Sequence, residues 1–299
     1  MSNFKDFFNT TNILKTAIII YALIFLVYFV KDCLAHKEDF RKKDRKVVTL
    51  LLIGCITNFL DTLGIGSFAT TQASFKFTKS SPDDIMPGTL NVGDCIPVIS
   101  EFVLFLGLIQ VDSVTLVAMI AAAIVGSLIG AKIVSSWPIK TVRIALGTAL
   151  LFMALSMACK LMEIGPFGSV GTATGLYGFK LVIAVCINFI LGALMTIGAG
   201  LYTPCIALCS ALGLNVKIAF PVMFGSCSFL MPSCGFEFIK NGRYDRLAAA
   251  CLTGGGIVGV ALAFFIVKSL PLTVLTWLII VVMLITAVTF YKDAFKKEA

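Results

Sequence analysis

The sequence predicts an all-α, polytopic integral membrane protein: two inverted-topology repeats with glycine-broken helical hairpins, plus one extra N-terminal transmembrane helix. Three observations lead to this prediction. Hydrophobic residues make up 59% of the 299 residues and charged residues only 13%, whereas soluble domains carry about 25% charged residues. The chain contains a long internal duplication. In both copies a pair of glycines interrupts an apolar stretch at the same place.

The two copies of the duplication are separated by a nearly constant spacing. Thr62–Phe75 reappears as Thr196–Cys209, an offset of 134 residues, and Ile124–Pro138 matches Ile257–Pro271, an offset of 133, at seven of fifteen positions. The identities at the first offset include Thr62/Thr196, Gly64/Gly198, Gly66/Gly200, Ala73/Ala207 and Pro87/Pro221. Duplicated, glycine-broken apolar units are typical of secondary transporters, whose site lies where the repeats meet. The expected divisions are an extra helix with a charged loop over 1–46, repeat one over 47–161, repeat two over 180–292, and a single transporter domain over 47–292.

Six apolar runs are long enough to cross a bilayer, which takes about 20 residues. They are Ile13–Val30, Ile85–Ile109, Ser113–Val134, Lys140–Lys160, Leu247–Val267 and Leu272–Tyr291. A shorter run covers Ile218–Pro232. Two further stretches, Val47–Phe77 and Leu181–Leu212, each contain a Gly-x-Gly pair. Because glycine costs roughly 1 kcal/mol per site in a helix interior, we expect both stretches to be broken there.

The segments after the breaks, Ser67–Phe77 and Leu201–Leu212, are too short to cross a hydrocarbon core of about 30 Å. Each broken element therefore turns back as a hairpin, or else it makes one long crossing with an unwound centre. Basic residues favour the cytoplasmic side. The hairpin arrangement places 18 of the 24 basic residues there and the full crossing places 15. The hairpin arrangement is favoured, and it gives the two repeats opposite orientations in the cell (plasma or inner) membrane. It also places the N-terminus outside and the C-terminus in the cytoplasm.

Composition and motifs argue against several other classes. The net charge of +8 fits lysines that fix topology in cytoplasmic loops better than it fits a nucleic-acid partner. The single histidine, His36, lies in a charged loop, and the cysteines form no CxxC pair. We therefore expect no metal and no cofactor. The sequence has no phosphate-binding loop and no Ser/His/Asp arrangement, so we do not expect an enzyme.

Hydroxyl and amide side chains gather at both breaks. A broken helix exposes backbone N–H groups where its second half begins, and together with the helix dipole these groups form an anion site. The alternative is that glycine and threonine only allow close helix packing. The matched positions in two repeats favour binding. The predicted substrate-binding residues are Thr62, Gly64, Gly66, Thr70, Thr71 and Gln72 in repeat one, and Thr196, Gly198, Gly200, Thr203, Pro204 and Cys205 in repeat two.

Three acidic residues, Asp61, Asp94 and Glu101, fall within or near the apolar segments of repeat one. Carboxyl groups within a membrane are costly and are functional candidates for that reason. The positions in repeat two that correspond to the two aspartates hold Met195 and Ser228. This asymmetry favours a specialised role such as proton coupling. The alternative is that Asp61 caps the broken helix and Asp94 pairs with a lysine.

Cysteines follow the second break and suggest a different function, a membrane thiol, sulfur-trafficking or redox carrier. Cys205 and Cys209 are one helical turn apart, and Cys227 and Cys234 come later. Thiols beside an anion site could exchange sulfur with a substrate, although cysteine in apolar segments is usually a small hydrophobic residue. A carrier of this kind needs reactive pairs in both repeats. Repeat one has threonine and phenylalanine at the corresponding positions, which argues against it.

The duplicated stretches GIGSFATTQASF…PGTLNVGD and GAGLYTPCIAL…FPVMFGS, with the later IVGSLIGAKI…WP, resemble the TauE/SafE family of sulfite exporters over roughly Val47 to Tyr291. Asn91, within the first of these stretches, joins the candidate binding residues. Repeat one departs from the family's glycine- and proline-containing segment at Ser67 and Thr70. The resemblance implies a secondary transporter, and an exporter, of small sulfur-containing or organic anions such as sulfite or sulfonates. The expected partners are that anion and the lipid bilayer. The sequence leaves open whether the protein forms a homodimer.

Overall fold

The computed structural model describes residues 10–40, 46–82, 84–130, 138–162, 171–195 and 201–295. Within these ranges the regular structure is helical, and the one β-type contact is an isolated bridge between Ala173 and Leu214. The helices are α1 (Thr10–Ala35), α2 (Val47–Thr62), α3 (Ser67–Thr78), α4 (Met86–Gly93), α5 (Cys95–Leu108), α6 (Ser113–Val125), α7 (Ile139–Leu161), α8 (Gly178–Met195), α9 (Tyr202–Ala211), α10 (Val216–Lys240), α11 (Arg246–Ser269) and α12 (Leu272–Phe295). A 3-10 turn (Lys37–Phe40) follows α1, and a π-helical turn (Gly126–Gly130) extends α6.

Seven helical segments within the described residues are long and apolar enough to span a membrane. They are Thr11–Ala35, Met86–Leu108, Lys140–Cys159, Gly178–Met195, Val216–Lys240, Arg246–Ser269 and Leu272–Phe295. Large apolar side chains such as Leu23, Phe152 and Phe265 are more than half exposed, which is expected where lipid rather than water surrounds the protein. The predicted all-α, polytopic membrane class is confirmed.

One predicted segment differs from the one observed, and a second is described only in part. The run Ile218–Pro232 was expected to be short, but α10 continues to Lys240 and has 25 residues; that prediction was wrong because polar residues after Pro232 extend a helix that is apolar only in part. The span predicted over Ser113–Val134 is helical to Gly130, and 131–134 lie outside the described residues.

The described residues form two compact units, and each takes helices from both repeats. Unit 1 comprises Met1–Thr62, Gly66–Leu108 and Cys227–Phe265, and unit 2 comprises Leu63–Ile65, Ile109–Ser226 and Ile266–Ala299. Unit 1 thus joins helices α2 to α5 of repeat one to residues 227–265 of repeat two. Unit 2 joins the end of repeat one to both the beginning and the end of repeat two.

In unit 1, helices α2 and α11 approach each other through glycine. A Cβ atom added at Gly259 would lie 2.1 Å from the carbonyl oxygen of Cys55, and one added at Gly255 would lie 2.1 Å from that of Leu51. Gly54 of α2 packs in turn against the backbone of Leu252. Small residues on both helices therefore allow main chain to touch main chain, the usual basis of close helix packing in membranes.

Unit 2 repeats this contact with the roles of the two repeats exchanged. A Cβ atom added at Gly126, which the duplication aligns with Gly259, would lie 2.0 Å from the carbonyl oxygen of Phe189, which aligns with Cys55. Gly192 of α8 packs against the backbone of Ala123. The duplication seen in the sequence is therefore retained in the packing of both units. The opposite orientation of the repeats in the membrane stays a prediction.

The extra N-terminal helix α1 packs within unit 1. Phe25 lies against Gly235, where an added Cβ atom would meet its ring at 2.6 Å. At the end of α1, Asp32 accepts hydrogen bonds from Arg246 Nε at 2.7 Å and from the hydroxyl of Tyr244 at 2.5 Å. Arg246 also donates to Asp39 at 3.0 Å. Aromatic contacts along the helix and this charged cluster at its end hold α1 against the segments from repeat two.

The span predicted over Ile85–Ile109 is interrupted at Asp94, between α4 and α5. Pro97 has no N–H group, so the carbonyl of Gly93 four residues earlier loses its helical donor. The hydroxyl of Thr253 donates to that carbonyl at 2.8 Å. A side chain from α11 thus replaces the missing backbone hydrogen bond, as a proline kink in a membrane helix requires.

Replacing Gly259 with alanine is expected to lower the thermal unfolding midpoint of the purified protein in detergent. The new methyl group would collide with the carbonyl of Cys55, and overpacking of this kind costs about 1–3 kcal/mol. Gly254 on the same helix is the matched control, because its nearest neighbour would lie 3.7 Å from an added Cβ atom. Equal midpoints for the two alanine variants would contradict the close approach.

Asp112 caps α6 in unit 2. Its Oδ1 accepts from the backbone N–H and from the hydroxyl of Thr115, both at 2.8 Å, and its Oδ2 accepts from the Tyr177 hydroxyl at 3.2 Å. The backbone hydrogen bond from Thr115, followed by the hydroxyl bonds, lowers the pKa of Asp112 against the opposing effect of burial. The cap also fixes the linker between the repeats, because Asp112 N–H donates to Thr174.

The Asp112→Ala variant is expected to lose about 0.5–2 kcal/mol of stability near pH 7, while Asp112→Asn retains most of the cap. The pKa of Asp112 is lower in the folded state, so its contribution is complete above the unfolded pKa and is lost as the pH falls through the folded pKa. Acidification below about pH 4 should therefore reduce the difference between wild type and Asp112→Ala. A difference that grows on acidification would contradict this assignment, and thermal unfolding at a series of pH values measures it.

Candidate functional site

The first break has the geometry that its glycines allow. Helix α2 ends at Thr62, α3 begins at Ser67, and Gly64 and Gly66 have φ values of 94° and 93°. Residues with a side chain rarely adopt such positive φ values. The Gly-x-Gly pair therefore ends one helix and allows the next to restart in a new direction, as predicted.

The restarted helix α3 meets a carboxyl group of the protein itself. Asp61 Oδ1 accepts a hydrogen bond from the backbone N–H of Ser67 at 2.7 Å, and Asp61 is only 1% exposed. This N–H belongs to the first turn of α3, where the helix dipole favours a negative charge. The chain therefore supplies its own carboxyl group at the position where the sequence suggested that a substrate anion would bind.

The other two acidic residues lie in the same unit and are fully buried. Thr62 Oγ1 lies 2.6 Å from Glu101 Oε1. Asn58 Nδ2 donates to Asp94 Oδ1 at 3.0 Å, and the Ser67 hydroxyl faces the same carboxyl group. We call Asp61, Asp94 and Glu101 the unit 1 carboxyl cluster. The structure thus brings all three predicted acidic candidates together around α2 and the start of α3.

Several buried oxygen atoms in unit 1 have no hydrogen-bond partner among the described residues. They include Oδ1 of Asn58, Oδ2 of Asp94 and the hydroxyl of Thr71. These three residues have no exposed surface. Buried polar atoms are normally satisfied, so the paired residues Asn58 and Asp94 are a candidate position for a proton, a water molecule or a ligand.

The remaining candidates of repeat one make local contacts. Thr70 donates to the carbonyl of Ser67 at 2.9 Å, and Asn91 donates to the carbonyl of Pro87 at 2.8 Å, each within its own helix. Gln72 is half-buried on α3. The structure therefore places these side chains near the break or on α4 without tying them to the unit 1 carboxyl cluster.

In unit 2, Gly64 of the first Gly-x-Gly pair is hydrogen-bonded to α9, the helix that follows the second pair in the sequence. The hydroxyl of Thr203, in the first turn of α9, donates to the carbonyl of Gly64 at 2.8 Å, and Thr286 of α12 lies 3.1 Å away. Pro204 is the third residue of α9 and Cys205 the fourth, so the proline occupies the first turn, as predicted. Thr196, Gly198 and Gly200 lie outside the described residues.

The cysteines do not form an exposed reactive set. No disulfide links the ten cysteines, and Cys205, Cys209 and Cys227 have no exposed surface. Cys234 is partly exposed. The described residues contain no group of histidine, cysteine or acidic side chains that could hold a metal ion. A buried thiol is protected from exchange with soluble partners.

Two buried asparagines were missed by the sequence analysis. Asn58 of α2 bonds to Asp94, and Asn188 of α8 donates to the carbonyl of Met119 at 2.7 Å and to Ser226 Oγ at 3.2 Å. The duplication aligns Asn58 with Gly192 and Gly54 with Asn188, so each repeat has one glycine and one asparagine at these two positions. An amide within an apolar helix was the available signal, because it must find partners inside the protein.

A glycine-broken helix, buried carboxyl groups and packing between the two repeats define a polytopic membrane protein with a transporter-like interior. A family model for sulfite exporter TauE/SafE matches residues 6–157, slightly more than half of the chain, and the protein belongs to this family of membrane transporters. The match includes α1, which the motif resemblance left out, and it ends before repeat two. No curated protein sequence and no solved structure matches the chain.

The Thr203→Val variant tests the hydrogen bond to the break. Valine has the shape of threonine without the hydroxyl, so the buried carbonyl of Gly64 loses its donor, at an expected cost of about 1–3 kcal/mol. Thr203→Ser keeps the hydroxyl and is the matched control. Thermal unfolding should rank wild type and the serine variant above the valine variant, and a valine variant as stable as wild type would remove this contact from the account.

Proposed function

We propose that this protein is a secondary transporter that exports sulfite or a similar small sulfur-containing or organic anion, such as a sulfonate. Membership of the sulfite exporter family over residues 6–157 is the observation that carries the proposal. The broken helix at Gly64 and Gly66 supports it, since broken helices build the ion and substrate sites of many transporters. The direction of export is taken from the family description.

The first turn of α9 is the proposed binding region for the anion. The dipole at a helix start favours a negative charge, and Leu201, which precedes α9, makes no side-chain cap. Repeat one differs, because Asp61 already accepts from Ser67 N–H at the start of α3. Repeat two has Met195 at the position of Asp61, so no carboxylate from this position competes with the substrate anion.

The setting proposed for this transporter is the cell membrane, with the N-terminus outside and the C-terminus in the cytoplasm. The distribution of basic residues supports it, since the loops assigned to the cytoplasm hold 18 of 24. The same arrangement gives the two repeats opposite orientations, on which alternating access can be built. Seven membrane-spanning segments among the described residues are compatible with a multi-pass protein of this kind.

Flux of isotopically labelled sulfite and of a sulfonate through proteoliposomes, with and without a pH gradient, tests the proposal. Sulfite flux well above that of protein-free liposomes is expected, and competition by unlabelled sulfonate would place both anions at one site. A double Cys209→Ala, Cys227→Ala variant, in which neither residue belongs to the proposed binding region, is the control for a thiol mechanism and should transport at the wild-type rate. The absence of flux of either anion under every gradient would contradict the transporter function.

A further inference from the structure

Asp94 stands out within the unit 1 carboxyl cluster because its polar neighbours are neutral. It has no exposed surface and lies at the proline kink between α4 and α5. Its Oδ1 accepts from the amide of Asn58, the Ser67 hydroxyl faces it, and its Oδ2 has no hydrogen-bond partner among the described residues. An ionised carboxylate buried among neutral groups is strongly disfavoured. One proton on Oδ2 removes the charge and converts an acceptor without a partner into a donor.

The orientation of the Asn58 amide supports this reading. Asn58 Nδ2 donates to the carbonyl of Gly54 and to Asp94 Oδ1, both at 3.0 Å. Both amide protons are therefore in use, and a flipped amide would place oxygen against these two acceptors. Asn58 Oδ1 is thereby left buried with no donor among the described residues. The pair thus holds two buried acceptor atoms, Asn58 Oδ1 and Asp94 Oδ2, with no donor among the described residues.

The other two members of the cluster make different contacts. Asp61 accepts from the first turn of α3, an environment that stabilises a carboxylate. Glu101 has the hydroxyl of Thr62 at 2.6 Å. Around Asp94, a neutral amide and a neutral hydroxyl do not balance a negative charge. The asymmetry between the repeats agrees, since the position aligned with Asp94 is Ser228, which donates to the carbonyl of Val98 on α5.

We propose that Asp94, held by Asn58, is the group that takes up and releases the proton coupled to anion transport. This inference rests on the proposed function and deepens it by naming the coupling ion and its site. One proton from water binds Asp94 Oδ2 and returns to water later in the cycle, so no oxidant or reductant takes part. Asn58 is a positioning residue, because it orients the carboxyl group and leaves Oδ2 available.

Close packing favours a proton over a metal cation at this pair. A Cβ atom added at Gly256 would lie 2.9 Å from Asn58 Nδ2 and 2.5 Å from Pro97 Cγ. A metal cation needs several oxygen ligands around it, whereas a proton needs only the lone pair of Oδ2. Because residue 256 is glycine, α11 packs directly against the Asn58 amide and covers that side of the Asn58–Asp94 pair.

Other titratable groups surround the pair and must be separated from it in a test. Asp61 reaches Ser67 from α2, and Glu101 lies two turns further along α5. The Cys95 thiol interacts electrostatically with Asp94 and with Cys234 of α10. Thiols are neutral near pH 7 unless activated, so Asp61 and Glu101 are the two groups whose protonation could be mistaken for that of Asp94.

Infrared difference spectra of the reconstituted protein between low and high pH give a direct readout of carboxyl protonation. The C=O band of a protonated carboxyl group is expected in wild type and is expected to be lost in Asp94→Asn. It should persist in the matched Glu101→Gln and Asp61→Asn variants. An Asn58→Leu variant should shift the pH midpoint of the band, because the amide that fixes Asp94 is gone. A band that survives in Asp94→Asn, or that disappears in Glu101→Gln instead, would overturn the assignment.

Flux measurements then test whether the protonation of Asp94 seen in the infrared band is coupled to anion transport. Wild type is expected to move sulfite faster when a pH gradient is imposed, and Asp94→Asn is expected to lose this acceleration. If wild type transports sulfite and Asp94→Asn responds to the gradient as wild type does, the proton assignment fails while the transporter function stands. If wild type transports no anion but keeps an Asp94-dependent band, the proposed function fails and the proton site stands alone.

Discussion

The close contact between main chains at glycine is the constraint on which both units depend. Gly259 against Cys55 in unit 1 and Gly126 against Phe189 in unit 2 bring helices of different repeats into contact. Lipid offers little hydrophobic driving force between helices, so association relies on packing of this kind and on internal hydrogen bonds. Each repeat therefore completes the packing of the other, and neither unit consists of one repeat alone.

Within that packing, the irregular backbone is satisfied by specific side chains. The carbonyl of Gly64 receives the Thr203 hydroxyl, the carbonyl of Gly93 receives the Thr253 hydroxyl, and the N–H of Ser67 receives the Asp61 carboxyl. No water is available in a hydrocarbon core to make these bonds. The breaks and the kink are thus the places where polar side chains are drawn into the protein, and the candidate site consists of those side chains.

The sequence was sufficient to predict the membrane class, the helix break at Gly64 and Gly66, and the placement of Asp61, Asp94 and Glu101 in apolar segments of the protein. These depend on composition, on glycine conformation and on the cost of burying charge, all of which are local properties. The exchange of helices between repeats was not predictable, because a duplication shows which residues correspond but not which helices touch. Asn58 was missed for the same reason, since its role exists only once α2 lies beside α4 and α5.

Splitting the chain between residues 162 and 171 and expressing the two halves separately tests the exchanged pairing most directly. We expect each half alone to be degraded or to aggregate. The two halves expressed together should form a stable complex that purifies through a tag on either one, because unit 1 needs residues 227–265 and unit 2 needs residues 109–161. Two halves that each fold stably in detergent and do not associate when expressed together would contradict it.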